Sequence, residues 1–146
     1  MNTKIEQICK QLERFEGVHV VSWGRNESTG YLIEMTVRRP QKESTVTMRL
    51  AVEGEGVTRI CGICVPDVGK APAEVDVESF TVRLNRGTTL VGKFLPYNQD
   101  EVYYQALQFI FDQNPSTKLL GRLITDAMAA SEGFLRVVVK RKSRNN

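Results

Sequence analysis

The sequence predicts an α+β protein, with one amphipathic helix before a curved antiparallel sheet of about six strands and a helix pair after it. Three observations lead to this prediction. Apolar residues recur at helical spacing in residues 5–15 and again after residue 98, whereas the segment between them alternates polar and apolar residues. β-Branched and aromatic residues dominate the alternating segment. The joins between its runs are short and polar, which favours hairpins over helical crossovers.

The N-terminal helix is predicted from its cap and its apolar stripe. Thr3 and Glu6 have the spacing of a capping box, in which each side chain satisfies a free backbone N–H group at the helix start. Gly17 supplies a C-terminal stop. The stripe consists of Ile5, Ile8, Cys9, Leu12 and Phe15. We expect this stripe to pack against the sheet.

Six strands are predicted between residues 18 and 95. They are Val18–Trp23, Tyr31–Arg39, Thr45–Glu53, Val57–Val65, Val75–Leu84 and Thr88–Leu95. Val46 and Met48 alternate with Thr45 and Thr47, so the third strand has one apolar face and one polar face. The fifth strand changes parity near Glu78, which predicts a bulge or bend at that point.

A helix pair and a final strand are predicted at the C-terminal end. Apolar residues between 102 and 111 supply one face of the first helix, and Asn114-Pro115 ends it and starts the second. The second helix is predicted to stop at Ser131-Glu132-Gly133. Phe134–Val139 is β-branched and predicts a short closing strand.

Size and charge indicate one ordinary domain. The chain has 146 residues, of which 41% are hydrophobic and 25% charged, so one core can form without metals or disulfides. The net charge is +3, and four of the 20 basic residues lie in the last seven positions. We therefore expect a single domain in residues 1–139 and a flexible basic tail in residues 140–146.

The expected location is the cytoplasm. The N-terminus enters a charged amphipathic pattern that a signal peptide would not contain. No apolar run approaches the roughly 18 residues that cross a bilayer, so no membrane contact is expected. The three cysteines are an odd number, and free thiols are predicted.

The pair Cys61 and Cys64 has the spacing of a redox dithiol or of a zinc knuckle. A redox dithiol starts at a helix N-terminus, but the flanking residues here predict a strand, on which the two side chains point to opposite faces. Cys9 and His19 would complete a Cys₃His zinc set, although only one knuckle is present. Buried, inert thiols are the simpler interpretation, and we expect no metal and no cofactor.

Catalysis has little support in the sequence. His19 is the only histidine, and neither a nucleophile elbow nor a phosphate-binding loop occurs. Glu34, Asp76 and Glu78 are carboxylates on predicted strands, but no spacing pairs them for acid–base work. We therefore assign no catalytic residue and favour a non-catalytic protein.

Basic side chains on the predicted strands and in the tail suggest a positive surface for nucleic acid or for an acidic partner. They are Arg38, Arg49, Arg59, Arg83, Lys93, Lys140, Arg141 and Lys142. Sheets that bind single strands usually expose aromatic rings. Here the phenylalanines are predicted in the core, at Phe15, Phe80, Phe94, Phe109, Phe111 and Phe134. An ordinary solvated sheet face is the alternative.

A polar aromatic cluster marks the transition from sheet to helix. It consists of Tyr97, Asn98, Tyr103 and Tyr104. These side chains would line the mouth of a ligand pocket between the helices and a curved sheet. The alternative is a capping asparagine with amphipathic tyrosines at a helix edge.

The order of a leading helix, a strand meander and a closing helix resembles the layout of small secretion-chaperone-like modules. The resemblance implies binding to another protein. We therefore favour a small, soluble, non-catalytic interaction module that forms a homo-oligomer and contacts a protein partner. The alternatives are nucleic-acid binding through the basic residues and a small-ligand pocket or enzyme near Tyr97 and Tyr104.

Overall fold

The computed structural model describes residues 3–25, 30–54, 59–88, 90–111 and 114–145, with the backbone alone at residues 3 and 141–145. The elements are α1 (Thr3–Glu13), β1 (Val18–Arg25), β2 (Tyr31–Arg38), β3 (Thr45–Glu53), β4 (Ile60–Lys70), α2 (Val77–Arg86), β5 (Lys93–Pro96), β6 (Glu101–Phe109) and α3 (Thr117–Asn145). The strands form one six-stranded antiparallel sheet in the order β1-β2-β3-β4-β6-β5. The predicted α+β class with an antiparallel sheet is therefore confirmed.

One face of the sheet carries the core. Ile33, Leu50, Ile63 and Tyr104 lie on this face of four different strands, and each is fully buried. Helix α1 contacts β1, and α3 contacts β3, β4 and β6. Three members of the α1 stripe, Ile5, Ile8 and Leu12, join the same core. The predicted packing of this stripe on the sheet and the alternation of β3 are both confirmed.

The opposite face is the helix-free face. Along β2 and β3 the residues between the core positions are exposed or half-buried, as the strand alternation requires. Helix α2 lies at the β5 edge, where Phe80 packs edge-on against Phe134 with 5.9 Å between the ring centroids. Within the described ranges, no helix combines the length and the apolar character that crossing a bilayer requires.

The predicted strand Val75–Leu84 is wrong, because the chain forms α2 there. Asp76 caps the helix by accepting a hydrogen bond from the backbone N–H of Ser79 at 3.1 Å. Val77 and Phe80 are buried, which is helical spacing. The change of parity that suggested a bulge near residue 78 results from the helical period of 3.6 residues.

The predicted first helix of the C-terminal pair is also wrong, because residues 101–109 form β6. Val102, Tyr104 and Ala106 are buried at a period of two and pair with β4 along its length. This long-range pairing prevails over the local helical spacing. The predicted strand Thr88–Leu95 shrinks to the four residues of β5, Lys93–Pro96.

A single 29-residue helix, α3, replaces both the predicted second helix and the final strand. The helix does not stop near residue 132, because its side chains there make tertiary contacts. Arg39 forms an ion pair of 2.7 Å with Glu132 and donates a hydrogen bond to Ser131, and Phe134 is buried. Such packing outweighs the low helix propensity of the valines that follow. The division into a domain of residues 1–139 and a tail of 140–146 stays a prediction, and the helical backbone continues to Asn145.

Candidate functional site: the helix-free face of the sheet

An apolar band crosses the helix-free face at one end of the sheet. Strand register places Gly24, Leu32, Ala51, Gly62 and Leu107 in one row, each opposite the next on neighbouring strands. Ile60 and Phe109 form a shorter row beside it. We call these seven residues the apolar band: Gly24, Leu32, Ala51, Ile60, Gly62, Leu107 and Phe109. Such a band is uncommon, because the strand residues on an uncovered sheet face are normally polar.

The large side chains of the band are exposed to solvent. Leu107 is 56% exposed, Phe109 55% and Leu32 38%. The ring of Phe111 lies 6.1 Å from that of Phe109 and extends the exposed apolar area beyond the end of β6. Phe111 has a φ of 43°, a left-handed backbone that a bulky residue rarely adopts. Such strain is more frequent at functional surfaces than elsewhere.

A shallow cleft of about 240 Å³ opens in the middle of the band. Ala51 and Gly62 form its floor, and Leu32, Ile60 and Leu107 line it. A Cβ atom on Gly62 would lie only 2.6 Å from a methyl carbon of Leu107, so the leucine side chain lies directly over the glycine. The absence of a side chain at residue 62 therefore shapes the cleft.

A second cleft, of about 300 Å³, lies at the β1 edge of the same face. It is lined by Ser22, Trp23, Gly24, Arg25, Leu32 and Glu34. Space above Gly24 is open, since a Cβ atom there would meet nothing within 4 Å. The row from Gly24 to Leu32 thus connects the two clefts.

The other end of the helix-free face is polar. Register places Glu34 opposite Arg49, Thr36 opposite Thr47, and Arg38 opposite Thr45. Arg38 also pairs with Glu16 at 3.6 Å, in an exposed contact of little energetic weight. This end has the composition of an ordinary solvated face.

The predicted basic residues are distributed over several surfaces. Arg38, Arg49 and Lys93 share the helix-free face. Arg59 precedes β4, Arg83 is exposed on α2 and Lys140 is exposed on α3. The side chains of Arg141 and Lys142 lie outside the described residues. Three of the eight therefore share one face but lie on three different strands, and Arg49 is the one in register with Glu34.

The predicted tyrosine cluster divides between the two faces, because its residues lie on a strand and a turn. Tyr97 and Tyr103 are stacked edge to face with 6.4 Å between their ring centroids, and Tyr97 is 69% exposed. Asn98 caps the β5–β6 turn by accepting hydrogen bonds from the backbone N–H groups of Asp100 and Glu101. The four residues do not converge on one pocket.

Tyr104 faces the core and serves as a structural clamp. Its hydroxyl donates to the Asp126 carboxylate and accepts a hydrogen bond from the Gly92 N–H at 2.7 Å. Asp126 also accepts from the Val91 N–H at 2.9 Å. Burial, followed by the hydrogen bond to Asp126, raises the pKa of the Tyr104 hydroxyl well above its ordinary value. The clamp joins the loop before β5 to α3.

The candidate thiol and zinc residues do not converge either. Cys61 faces the core and Cys64 faces the helix-free side, as the sequence predicted for a strand. Burial raises the pKa of the Cys61 thiol to about 12. His19 is exposed on β1, with its Nδ1 atom 3.9 Å from Glu13. In the part of the chain that the structure describes, no group of three or more His, Cys, Asp or Glu side chains could hold a metal ion.

Sequence reasoning missed the apolar band because it placed Phe109 and Phe111 in the core. Both rings are exposed, and that expectation is wrong. The signal was present in β6, where Leu107 and Phe109 alternate with the buried residues Tyr104 and Ala106. Apolar residues at both parities imitate a helical stripe, and they equally indicate a strand whose two faces are both apolar.

Comparisons with protein-family models, curated proteins and solved structures find no match.

Proposed function

We propose that the protein is a non-catalytic protein-interaction module of the cytoplasm that self-associates through the apolar band. One observation carries the proposal: Leu32, Leu107 and Phe109 are exposed around a cleft on a sheet face that no described helix covers. Burying a large apolar side chain contributes about 1.5–3 kcal/mol, so three such residues can form the centre of an interface. The charged residues at the cleft margin, Arg49 and Glu53, would lie at its polar rim.

A second copy of the chain fits this surface by shape. In the row Ala51–Gly62–Leu107, the protruding leucine and the recessed alanine lie on opposite sides of Gly62. A two-fold axis along β4 would place Leu107 of each copy over Ala51 of the other, which is the self-complementary contact of a symmetric dimer.

The helix-free face is large enough for such a dimer. Six strands of the observed lengths give it roughly 800 Å² from the usual strand spacing and rise. A standard interface takes about 800 Å² from each partner. Face-to-face association would therefore use most of this face.

Sedimentation velocity of the purified protein over a concentration series tests the proposal. We expect a reversible dimer in the unmodified chain and a loss of affinity of about tenfold or more for Leu107→Asp, which buries an unpaired carboxylate in the interface. Val82→Asp is the matched control, since Val82 is an exposed apolar residue on α2, away from the helix-free face. A monomer at every concentration, or equal weakening by both variants, would refute self-association through the band.

Nucleic-acid binding is a second candidate because the structure exposes aromatic rings on the sheet. Tyr103 and Phe109 lie on the helix-free face together with Arg49 and Lys93, an arrangement typical of single-strand binding. Fluorescence anisotropy with a fluorescein-labelled dT₂₀ oligonucleotide tests it. Salt-sensitive binding that Arg49→Ala weakens would favour this candidate, whereas no binding at low salt would exclude single-stranded DNA of this kind.

A further inference from the structure

A row of residues beside the apolar band has charges of opposite sign at its two ends. Strand register places one residue of each of β2, β3, β4, β6 and β5 in this row, in the order Glu34, Arg49, Cys64, Gln105 and Lys93. We call these five residues the polar row. Glu34 lies two strands from β4 on one side, and Lys93 lies two strands from β4 on the other. With the usual strand spacing, each is about 10 Å from β4.

The charges at the two ends of the polar row are not neutralised within the chain. Lys93 is exposed and Glu34 is half-buried. Among the residues that the structure describes, neither side chain has an ion-pair partner. Arg49 lies in register with Glu34, but no ion pair joins the two. Both ends of the row are therefore available to a partner.

The shape of the apolar band fits two different symmetric dimers. In both, the helix-free faces of two copies are stacked, and the two-fold axis runs between them along one strand. An axis along β4 places Leu107 of each copy over Ala51 of the other. An axis along β3 places Leu107 over Gly24 of the other copy and Leu32 over its Gly62. Each arrangement sets a protruding leucine over a small residue, so shape alone does not select the axis.

The polar row distinguishes the two axes. An axis along β3 would place Arg49 of one copy opposite Arg49 of the other, and like charges that face each other disfavour a complex. It would also leave Lys93 without an opposite strand. An axis along β4 places Glu34 opposite Lys93 of the second copy, and symmetry forms this pair twice. Stacked sheets lie about 10 Å apart, a gap that an extended glutamate and an extended lysine bridge together.

We propose that a second copy of the chain binds with its two-fold axis along β4, and that two ion pairs between Glu34 of one copy and Lys93 of the other fix this register. The inference rests on the proposed self-association and adds the residues that determine its specificity. Charge pairs at the rim of an interface mainly determine orientation and association rate. The apolar band supplies the buried area, and the ion pairs exclude the alternative axis.

Charge reversal followed by sedimentation velocity at low salt tests the inference. Glu34→Lys places a lysine opposite Lys93 at both sites, and we expect it to weaken the dimer by about tenfold or more. Lys93→Glu should have a similar effect, because it places two glutamates opposite each other. The double variant Glu34→Lys/Lys93→Glu reverses each ion pair and should recover the affinity of the unmodified chain to within about threefold.

A variant with the same net charge is the matched control for this recovery. Glu34→Lys/Arg83→Glu has the net charge of the double variant, but Arg83 is exposed on α2, outside the polar row. It should associate as weakly as Glu34→Lys alone. Recovery of affinity in this control would show that net charge governs the association, and it would overturn the proposed ion pairs.

The outcomes separate this inference from the proposed self-association. If the unmodified chain dimerises but the charge-swapped double variant stays as weak as the single variants, the ion pairs are refuted and association through the apolar band stands. Stronger association of Arg49→Gln would indicate the axis along β3, where this change removes opposed arginines, and would also overturn the inference. An unmodified chain that is monomeric at every concentration would refute both proposals.

Discussion

The two faces of the sheet are built from alternate residues of the same strands, yet they differ in what constrains them. On the helix-covered face, Leu50 and Ile63 are fully buried under α3. On the helix-free face, Leu107 is more than half exposed, although it is just as apolar. Packing in the core explains why the buried residues of the helix-covered face are apolar. The exposed apolar residues of the helix-free face lie outside the core cluster, and their position therefore carries information about partners.

The two ends of the helix-free face also differ in composition. The polar end pairs Glu34 with Arg49 and Thr36 with Thr47, as a solvated sheet face is expected to do. The apolar band places small residues beside large exposed ones, which produces a cleft with protruding walls. Charge and polarity are thus not uniformly distributed over this face, and only one end has the composition of an interface core.

The largest difference between the two faces should appear in core truncation. Leu50→Ala removes a fully buried side chain and should lower the free energy of unfolding by about 2–5 kcal/mol. Leu107→Ala should change it by less than about 0.5 kcal/mol at protein concentrations where the chain is monomeric. Urea unfolding at low micromolar concentration measures both. Comparable losses would show that Leu107 belongs to the core.

Consecutive tyrosines on β6 provide a finer comparison of the same kind. Tyr104→Phe leaves Asp126 and the Gly92 N–H without their shared hydroxyl and should cost about 1–3 kcal/mol. Tyr103→Phe, on the opposite face, should be nearly neutral. Thermal or urea unfolding of the two variants checks this expectation, and an equal cost would contradict the clamp.

Alkaline pH should lower the free energy of unfolding through the groups that are buried on the helix-covered face. Burial raises the pKa of the Cys61 thiol from its ordinary value of 9.0 to about 12, so the folded state holds its proton more tightly. The stability associated with this thiol is complete below about pH 9 and is lost as pH rises toward 12. Burial raises the pKa values of Tyr31 and Tyr104 in the same direction.

Unfolding measured from pH 8 to pH 11 should therefore show a free energy that falls with pH, and Cys61→Val should have a shallower slope over this range. The Cys61 thiol should also resist alkylation at pH 8 until the chain unfolds. Rapid labelling of native Cys61, or an identical slope in the variant, would contradict the burial argument.

The smallest effect is expected at a second buried tyrosine. The Tyr31 hydroxyl is buried without a hydrogen-bond partner among the described residues. Removing an unpartnered buried hydroxyl relieves a desolvation cost, so Tyr31→Phe should be neutral or stabilising by up to about 1 kcal/mol. Its contrast with Tyr104→Phe is measured by the same unfolding experiment. A clear destabilisation would reveal a partner for this hydroxyl.

Local sequence pattern was sufficient for α1, β2 and β3. Their caps, turns and alternation lie within short windows, and the structure places β3 at Thr45–Glu53 as predicted. The same reasoning failed for α2, β6 and the end of α3. In each case a contact distant in sequence decides the structure: β6 pairs with β4, and α3 is held near Ser131 and Glu132 by Arg39. Local propensity does not depend on contacts between residues that are distant in sequence, so it cannot predict these elements.

The same limit applies to the candidate site. The sequence contained every residue of the apolar band, but the rows across the sheet depend on strand order and register. Gly62 and Leu107 are far apart in the chain and become neighbours only because β4 pairs with β6. The predicted cluster of Tyr97, Tyr103 and Tyr104 failed for the converse reason, since neighbours on a strand point to opposite faces.

Thiol labelling as a function of protein concentration tests the central claim most directly, because it locates the association as well as detecting it. Cys64 lines the cleft of the apolar band, while Cys9 lies on α1 on the other side of the sheet, and both are half-buried. The labelling rate of Cys64 with a maleimide should fall as the concentration passes the dissociation constant of the dimer, and that of Cys9 should stay constant. A Cys64 rate that is independent of concentration would contradict self-association through the helix-free face.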